Sequence, residues 1–128
     1  MIARPKGAKG FTLIEILVSI VIVGILAAIA IPQFSVYRKR TYGAQIKLDL
    51  VNAATAQEAY LVENNDYSIG LSGINSMGYN QHANITLGIV GTSVSGFRLT
   101  AGHTRCTAGT WNYDSASAGT NITGGPCG

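Results

Sequence analysis

The chain has 128 residues, with nine Lys and Arg against six Asp and Glu, and a formal net charge of +3. That length suits one small domain with an appendage and excludes two separate cores. Three cations, Arg4, Lys6 and Lys9, lie in the first ten residues, so the chain from residue 11 onward is formally neutral. The basic excess therefore does not indicate a nucleic-acid-binding domain.

The first predicted element is an apolar helix that runs from Phe11 to Ile31 and contains one charged residue, Glu15. Its length matches the roughly 20 residues that cross a bilayer core and exceeds that of most strands. Three interpretations fit: a signal peptide, a permanent membrane anchor, or a helix that leaves the membrane to pack against its own copies. The pattern Ala28-Ile29-Ala30 allows a signal peptide, but the run exceeds the 7–15 apolar residues typical of one. An acid inside a membrane span is costly and commonly has a function.

The segment KGFTLIE, residues 9–15, closely resembles the processing site of type IV prepilins, in particular type IVa-like ones with a class III signal peptide. The similarity covers roughly residues 7–67. It implies that a leader of residues 1–10 is cut between Gly10 and Phe11 by a membrane prepilin peptidase, which then N-methylates Phe11. It also implies that Glu15 pairs with the Phe11 amine of a neighbouring subunit and specifies register. The alternative is a Glu15 side chain that extends toward lipid headgroups.

Gly24 and Pro32 weaken the apolar helix, because Gly adds backbone entropy and Pro removes a backbone donor. The same resemblance implies that the helix melts locally between them on assembly and makes the filament extensible. A gentle kink at Pro32 is the alternative.

After the membrane and assembly helix of residues 11–32, the spacing of apolar residues predicts an amphipathic helix over residues 33–63. Its predicted apolar face consists of Tyr42, Ile46, Leu50, Ala53, Ala54, Gln57 and Leu61. Its other faces are predicted to carry Lys47, Asp49, Asn52 and Glu58. The helix is expected to end near Asn64 and Asn65, because Asn tolerates a left-handed cap.

Residues 64–128 are predicted to form a small globular β-sheet domain with a C-terminal disulfide loop. Residues 64–84 are rich in Gly, Ser and Asn and are predicted to be an exposed loop. Three strands follow, at Ile85–Val90, Gly96–Ala101 and Thr110–Tyr113. The predicted fold class is α+β, a long N-terminal helix packed on a small antiparallel sheet. The sheet is expected to place Val90, Phe97, Leu99 and Trp111 against the helix.

Cys106 and Cys127 are the only cysteines, and their spacing is too long for a Cys-x-x-Cys redox or metal motif. A disulfide between them would close a loop of about twenty residues and stabilise the fold by ~3 kcal/mol. It requires an oxidising compartment, so it places the C-terminal part outside the cytoplasm. Two unrelated buried thiols are the alternative.

The sequence contains no catalytic, metal-binding or cofactor-binding pattern, and neither His82 nor His103 has a partner at a diagnostic spacing. No enzymatic activity is therefore expected. An aromatic series follows the helix and its end: Phe34, Tyr37, Tyr42, Tyr60 and Tyr67. Its spacing resembles that of short pilins for which electron conduction has been proposed, and ordinary packing is the alternative.

The resemblance implies a structural major subunit of a type IV pilus, a single-pass inner-membrane precursor that becomes an extracellular filament. The filament would serve adhesion, twitching motility or DNA uptake. The implied partners are copies of the chain itself, the prepilin peptidase and methyltransferase, and the inner-membrane assembly machinery. DNA and anionic lipids are further candidates, because Arg38, Lys39 and Arg40 would attract either, although such a trio more often marks a membrane boundary.

Three alternative functions remain open. A type II secretion pseudopilin is disfavoured by the cysteine pair and by the scarcity of acids after Tyr67, where Asp114 stands alone and cannot build the calcium site of major pseudopilins. A membrane-anchored periplasmic binding module that never polymerises leaves Glu15 and the Gly10-Phe11 junction unexplained. An electron-conducting filament would depend on the aromatic series.

Overall fold

The computed structural model describes residues 10–93, 95–107, 109–117, 121–125 and 127. The helices are α1 (Leu13–Asn64) and α2 (Leu71–Ser76). The strands are β1 (Ile85–Ser93), β2 (Gly96–His103), β3 (Trp111–Asp114) and β4 (Ile122–Gly124). The predicted α+β class is confirmed. The chain divides into two compact units, Met1–Val36 and Tyr37–Gly128, and α1 contributes to both.

The N-terminal part of α1 is apolar and exposed within the chain. Its most apolar window of 18 residues has a mean hydropathy of 2.9, and none of it is buried, so the helix is long and apolar enough to cross a membrane. Pro32 lies inside α1 without ending it, and the helix is also continuous at Gly24. Local melting between these residues concerns the assembled state and stays a prediction.

The second part of α1 packs one face into the core, as the spacing predicted. The buried residues of this face are Gly43, Ile46, Asp49, Leu50, Ala53, Ala54, Ala56 and Gln57. The prediction was wrong for Asp49, which is completely buried. Asp49 follows Ile46 by three residues and precedes Ala53 by four, so helical geometry places it on the apolar face despite its charge.

α1 ends where the two asparagines predicted it would. Asn65 has a φ of 55°, the left-handed conformation that ends many helices, and its amide donates to the Leu61 carbonyl at 2.8 Å. The buried Gln57 side chain then holds the returning chain: its Nε2 donates to the Ser68 carbonyl at 2.8 Å, and its Oε1 accepts from the Ser68 amide at 2.9 Å. Both polar ends of the Gln57 amide are thereby satisfied in the core.

The prediction of a loop over residues 64–84 was wrong in its middle, where α2 forms. α2 has six residues and buries Ile74 completely. A helix of this length is not stable by its own propensity, so tertiary burial maintains it. Burial of one residue in so short a segment produces no periodic pattern of apolar residues, so α2 could not be predicted from the sequence.

The sheet is antiparallel throughout, in the order β1-β2-β3-β4, and has one strand more than predicted. β4 was missed because it has only three residues, the last of which is Gly124, too few for an alternating pattern. A bulge between Ile89 and Gly91 shifts the register of β1. Val90 is consequently 60 % exposed, which contradicts its predicted core position.

The helix and sheet share one core, because the predicted inward residues Phe97, Leu99 and Trp111 are all buried.

The predicted disulfide between Cys106 and Cys127 is confirmed, with 4.8 Å between the Cα atoms. β3 and β4 lie between the two cysteines, so the disulfide closes a loop that contains half of the strands. It thereby attaches the chain terminus to the sheet.

Candidate functional site

Glu15 caps the start of α1 through three hydrogen bonds with Thr12. The Thr12 amide donates to Glu15 Oε2 at 2.9 Å, and the Thr12 hydroxyl donates to the same oxygen at 2.6 Å. The Glu15 amide donates to Thr12 Oγ1 in return at 3.3 Å. This is a capping box, the pattern Thr-x-x-Glu. It was not predicted from the sequence, although the pattern Thr12-x-x-Glu15 stands at the start of the apolar run.

The second carboxylate oxygen of Glu15, Oε1, makes no hydrogen bond to any residue that the structure describes. The side chain is exposed, and the residues near it include Phe11, Ile14 and Val18. No Lys, Arg or His within the described residues pairs with it. The geometry therefore leaves one oxygen open to an external cation in an apolar setting, while the other keeps the helix capped.

The Gly10-Phe11 junction lies just before α1 begins. Gly10 is exposed, and a Cβ built on it would meet no atom within 4 Å. Phe11 is 76 % exposed. The junction is thus sterically open on its described side, whereas Arg4, Lys6 and Lys9 lie outside the described residues. Cleavage and N-methylation there stay predictions.

The apolar side chains of the first unit are exposed around the whole circumference of the helix. They include Leu13, Ile14, Ile20, Val23, Leu26, Ile29 and Ile31, all at least 59 % exposed. A helix that is apolar on every side normally lies in lipid or inside a bundle. In this chain it has no intramolecular cover among the described residues, so the cover must come from outside.

The predicted aromatic series is not a chain of touching rings in the described part of the subunit. Tyr42 stacks on His103 with 4.4 Å between ring centroids, and Tyr67 contacts Phe97 at 4.9 Å. These partners belong to the sheet and its loops and not to the series. Electron conduction by the series therefore has no continuous path within the described part of one subunit and stays an untested alternative.

A buried polar cluster around Asp49 is the second feature that sequence analysis missed. The Tyr79 hydroxyl donates to Asp49 Oδ2 at 3.3 Å, the His82 amide donates to the same oxygen at 3.4 Å, and His82 Nδ1 contacts Oδ1. Burial, reinforced by the Asp49 carboxylate, raises the pKa of Tyr79. The signal was an acid at core spacing on an amphipathic helix.

This cluster attaches the segment before β1 to α1. Among the described residues, no three His, Cys, Asp or Glu side chains lie close enough together to hold a metal ion. The arrangement is that of a core carboxylate whose hydrogen-bonding capacity is satisfied.

Comparison with known proteins connects these features to a family. The family model described as the prokaryotic N-terminal methylation motif matches residues 5–31. The chain is 39% identical over 99 residues to the type IV wide pilus major component PilA4 of Thermus thermophilus, and the alignment covers 77% of this chain and 76% of that protein.

Two further relatives share a shorter region. The type IV major pilin protein PilA of Myxococcus xanthus is 43% identical over 60 residues, 47% of this chain and 27% of that protein. A fimbrial protein of Pseudomonas aeruginosa is 45% identical over 58 residues, 45% of this chain and 38% of that protein. These two similarities thus leave most of each relative unmatched, whereas the alignment with PilA4 covers most of both chains. By that alignment and the methylation motif, the chain belongs to the type IV pilin family.

Proposed function

We propose that the chain is the major structural subunit of a type IV pilus, used in adhesion, twitching motility or DNA uptake. Support comes from PilA4 and PilA, which are named as major pilus components. As a type IV pilin the chain is a pilus subunit and not an enzyme. In this proposal the precursor lies in the inner membrane, where a prepilin peptidase cuts between Gly10 and Phe11 and the assembly machinery extracts the product.

The free Oε1 of Glu15 is the observation that carries this proposal. After cleavage, the methylated amine of Phe11 on a neighbouring subunit binds this oxygen, while Oε2 continues to accept from Thr12. An unpaired carboxylate among apolar side chains is strongly disfavoured, so pairing with an ammonium offsets much of the desolvation penalty. Subunits in any other register bury Glu15 unpaired. The pair therefore selects register more than it adds stability.

Three variants separate the charge of Glu15 from its capping role. Glu15→Gln keeps a capping side chain but loses the charge, Glu15→Ala loses both, and Thr12→Ala loses the Thr12 side-chain contacts but keeps the charge. We expect both Glu15 variants to reduce filament yield about tenfold or more, as the loss of a hydrogen bond to a charged group predicts. Thr12→Ala should stay near wild type. The measurement is pilin in sheared filaments relative to pilin in membranes.

Normal filament yield from Glu15→Gln, at a normal membrane level, would refute the pairing.

Processing is tested on the same material by mass spectrometry. We expect sheared filaments to contain a chain that starts at methylated Phe11. Recovery of the chain only in membranes, with residues 1–10 attached, would contradict the proposed function itself.

A further inference from the structure

Most of the exposed charges of the second unit lie in two groups of opposite sign. A group that we name the basic end consists of Arg38, Lys39, Arg40 and Arg105. A group that we name the acidic end consists of Glu58, Glu63 and Asp66. Between them along α1, Lys47 lies over the Trp111 ring at 4.8 Å and Asp49 is buried. One subunit therefore presents positive charge at one end of this stretch of helix and negative charge at the other.

Arg105 belongs to the basic end although it comes from the loop after β2. Arg38 Nη2 donates to the Tyr42 hydroxyl at 3.3 Å. The guanidiniums of Arg105 and Arg38 both hold the pKa of Tyr42 below its usual range. Two cations thus influence one phenol, and one of them, Arg38, contacts its oxygen directly. The fold maintains this concentration of positive charge without a described acid paired to it.

Neither end is neutralised within the described part of the subunit. There the ion pair is Arg98 with Asp114, and neither this pair nor the contact of His82 with Asp49 includes a member of either end. The nearest helical members, Arg40 and Glu58, are 18 positions apart, which corresponds to about 27 Å along the axis. Exposed charges at that distance are screened from one another by salt. A complementary partner for either end would therefore come from another molecule.

We infer that the basic end of one subunit binds the acidic end of a neighbouring subunit in the filament, an inference that rests on the proposed function. The contact is heterologous, because different surfaces meet, and repetition of such a contact without closure builds an open fibre. It displaces parallel neighbours by about 27 Å or more along the helix. Complementary charge of this kind steers association and selects register.

The charge balance favours a second copy over a polyanion as the partner. From residue 11 onward the chain has six Lys and Arg and six Asp and Glu, and copies that bind end to end place the four cations of the basic end against the three acids of the acidic end. A nucleic acid would neutralise the basic end and be repelled by the acidic end, which would stay unpaired. The same applies to an anionic lipid surface.

Lys39 and Glu63 are the best positions for a test. Both side chains are exposed, and neither has a side-chain hydrogen bond, ion pair or ring contact among the described residues. Charge reversal there leaves the subunit's own contacts intact. The variants are Lys39→Glu, Glu63→Lys and the two together. The control exchanges the intramolecular pair as Arg98→Glu with Asp114→Lys, which keeps the net charge.

Filament yield and resistance of sheared filaments to NaCl are measured in the full chain, with the processed pilin in membranes as reference. We expect each single reversal to lower yield roughly two- to fivefold, the range for exposed ion pairs, and to lower the salt concentration at which filaments dissociate. The double reversal should return to within about twofold of wild type, and the control should match wild type.

Three outcomes would overturn the inference: unchanged filaments from both single variants, a Lys39→Glu defect that Glu63→Lys does not relieve, or normal filaments that lose retention of DNA or anionic vesicles. The last result would assign the basic end to a polyanion. Each differs from failure of the proposed function, in which the wild-type chain itself is absent from filaments.

Discussion

At the scale of single residues, the ion pair between Arg98 and Asp114 joins neighbouring strands. Arg98 Nη2 lies 2.8 Å from Asp114 Oδ2, and the two residues are register partners of β2 and β3. The Arg98 guanidinium, helped by the Ala116 amide, holds the pKa of Asp114 below its ordinary value of 3.8. A carboxyl with a lowered folded-state pKa stabilises the fold above its unfolded pKa and loses that effect as the pH falls through the folded value.

We therefore expect the free energy of unfolding to fall more steeply below about pH 4 in the wild type than in Asp114→Asn. The measurement is urea unfolding of the detergent-solubilised full chain at a series of pH values from neutral to acidic, followed by Trp111 fluorescence. Arg98→Gln, which removes the cation but keeps the carboxyl and its bond from the Ala116 amide, should show an acid dependence between those of the wild type and Asp114→Asn. Identical slopes for all three proteins would contradict this role of the pair.

Asp49 shows where reasoning from residue type reaches its limit. Charge alone assigned it to a solvated face, whereas the spacing from Ile46 placed it in the core. In the structure, Tyr79 and His82 hydrogen-bond the buried carboxylate, and they lie 30 and 33 residues further along the chain. Partners so far away in the sequence cannot be predicted from a local pattern. By contrast, the signal for the Glu15 cap was local and could have been found from Thr12.

At the scale of elements, the position of β4 depends on a glycine. A Cβ on Gly124 would lie 2.4 Å from the nearest atom of the Trp111 ring, whose packed face leaves no room for a side chain. Trp111 is register partner to Gly124 and is 9% exposed. The ring also lies against α1 near Gly43, where a Cβ would meet ring atom Cζ2 at 3.6 Å. The Trp111 ring therefore cannot move away from a side chain at position 124 without disturbing the core.

We expect Gly124→Ala to lower the free energy of unfolding by about 1–3 kcal/mol, the usual range for overpacking. The matched control is Gly125→Ala, because a Cβ at that neighbouring position meets nothing within 4 Å. Its stability should stay within about 0.5 kcal/mol of wild type, as for a surface substitution. Denaturant unfolding of the two variants under one set of conditions makes the comparison. Equal stabilities would show that β4 moves freely over the ring.

The elements that could be predicted are those whose cause is local. Spacing of three or four residues identified the face of α1, and β1 and β2 were found from their runs of β-formers and the turn between them. α2 and β4 have six and three residues and exist because tertiary contacts bury Ile74 and pair Gly124. The bulge at Val90 likewise depends on the pairing of β1 with β2.

At the scale of the whole molecule, we expect the stretch from Gly24 to Pro32 to be the least stable part of the helix in the proposed pilus. Pro32 removes one backbone donor, and each Gly-to-Ala change in a helix is worth roughly 0.5–1 kcal/mol. We expect filaments of Pro32→Ala with Gly24→Ala to exchange the amide hydrogens of residues 24–32 more slowly than wild-type filaments. Hydrogen-exchange mass spectrometry measures this. Equal exchange rates would mean that the helix does not melt on assembly.

The uncovered apolar surface of the first unit has a consequence for the life of the subunit after the filament has formed. A helix with such side chains on every side is stable in only two solvents, a lipid bilayer or a bundle of its own kind, and water is neither. A subunit that leaves the filament base must therefore pass directly back into lipid. Under the proposed function, growth and shortening would therefore be opposite transfers of the same helix between lipid and the filament core, with the membrane as the source of new subunits and the store for recovered ones.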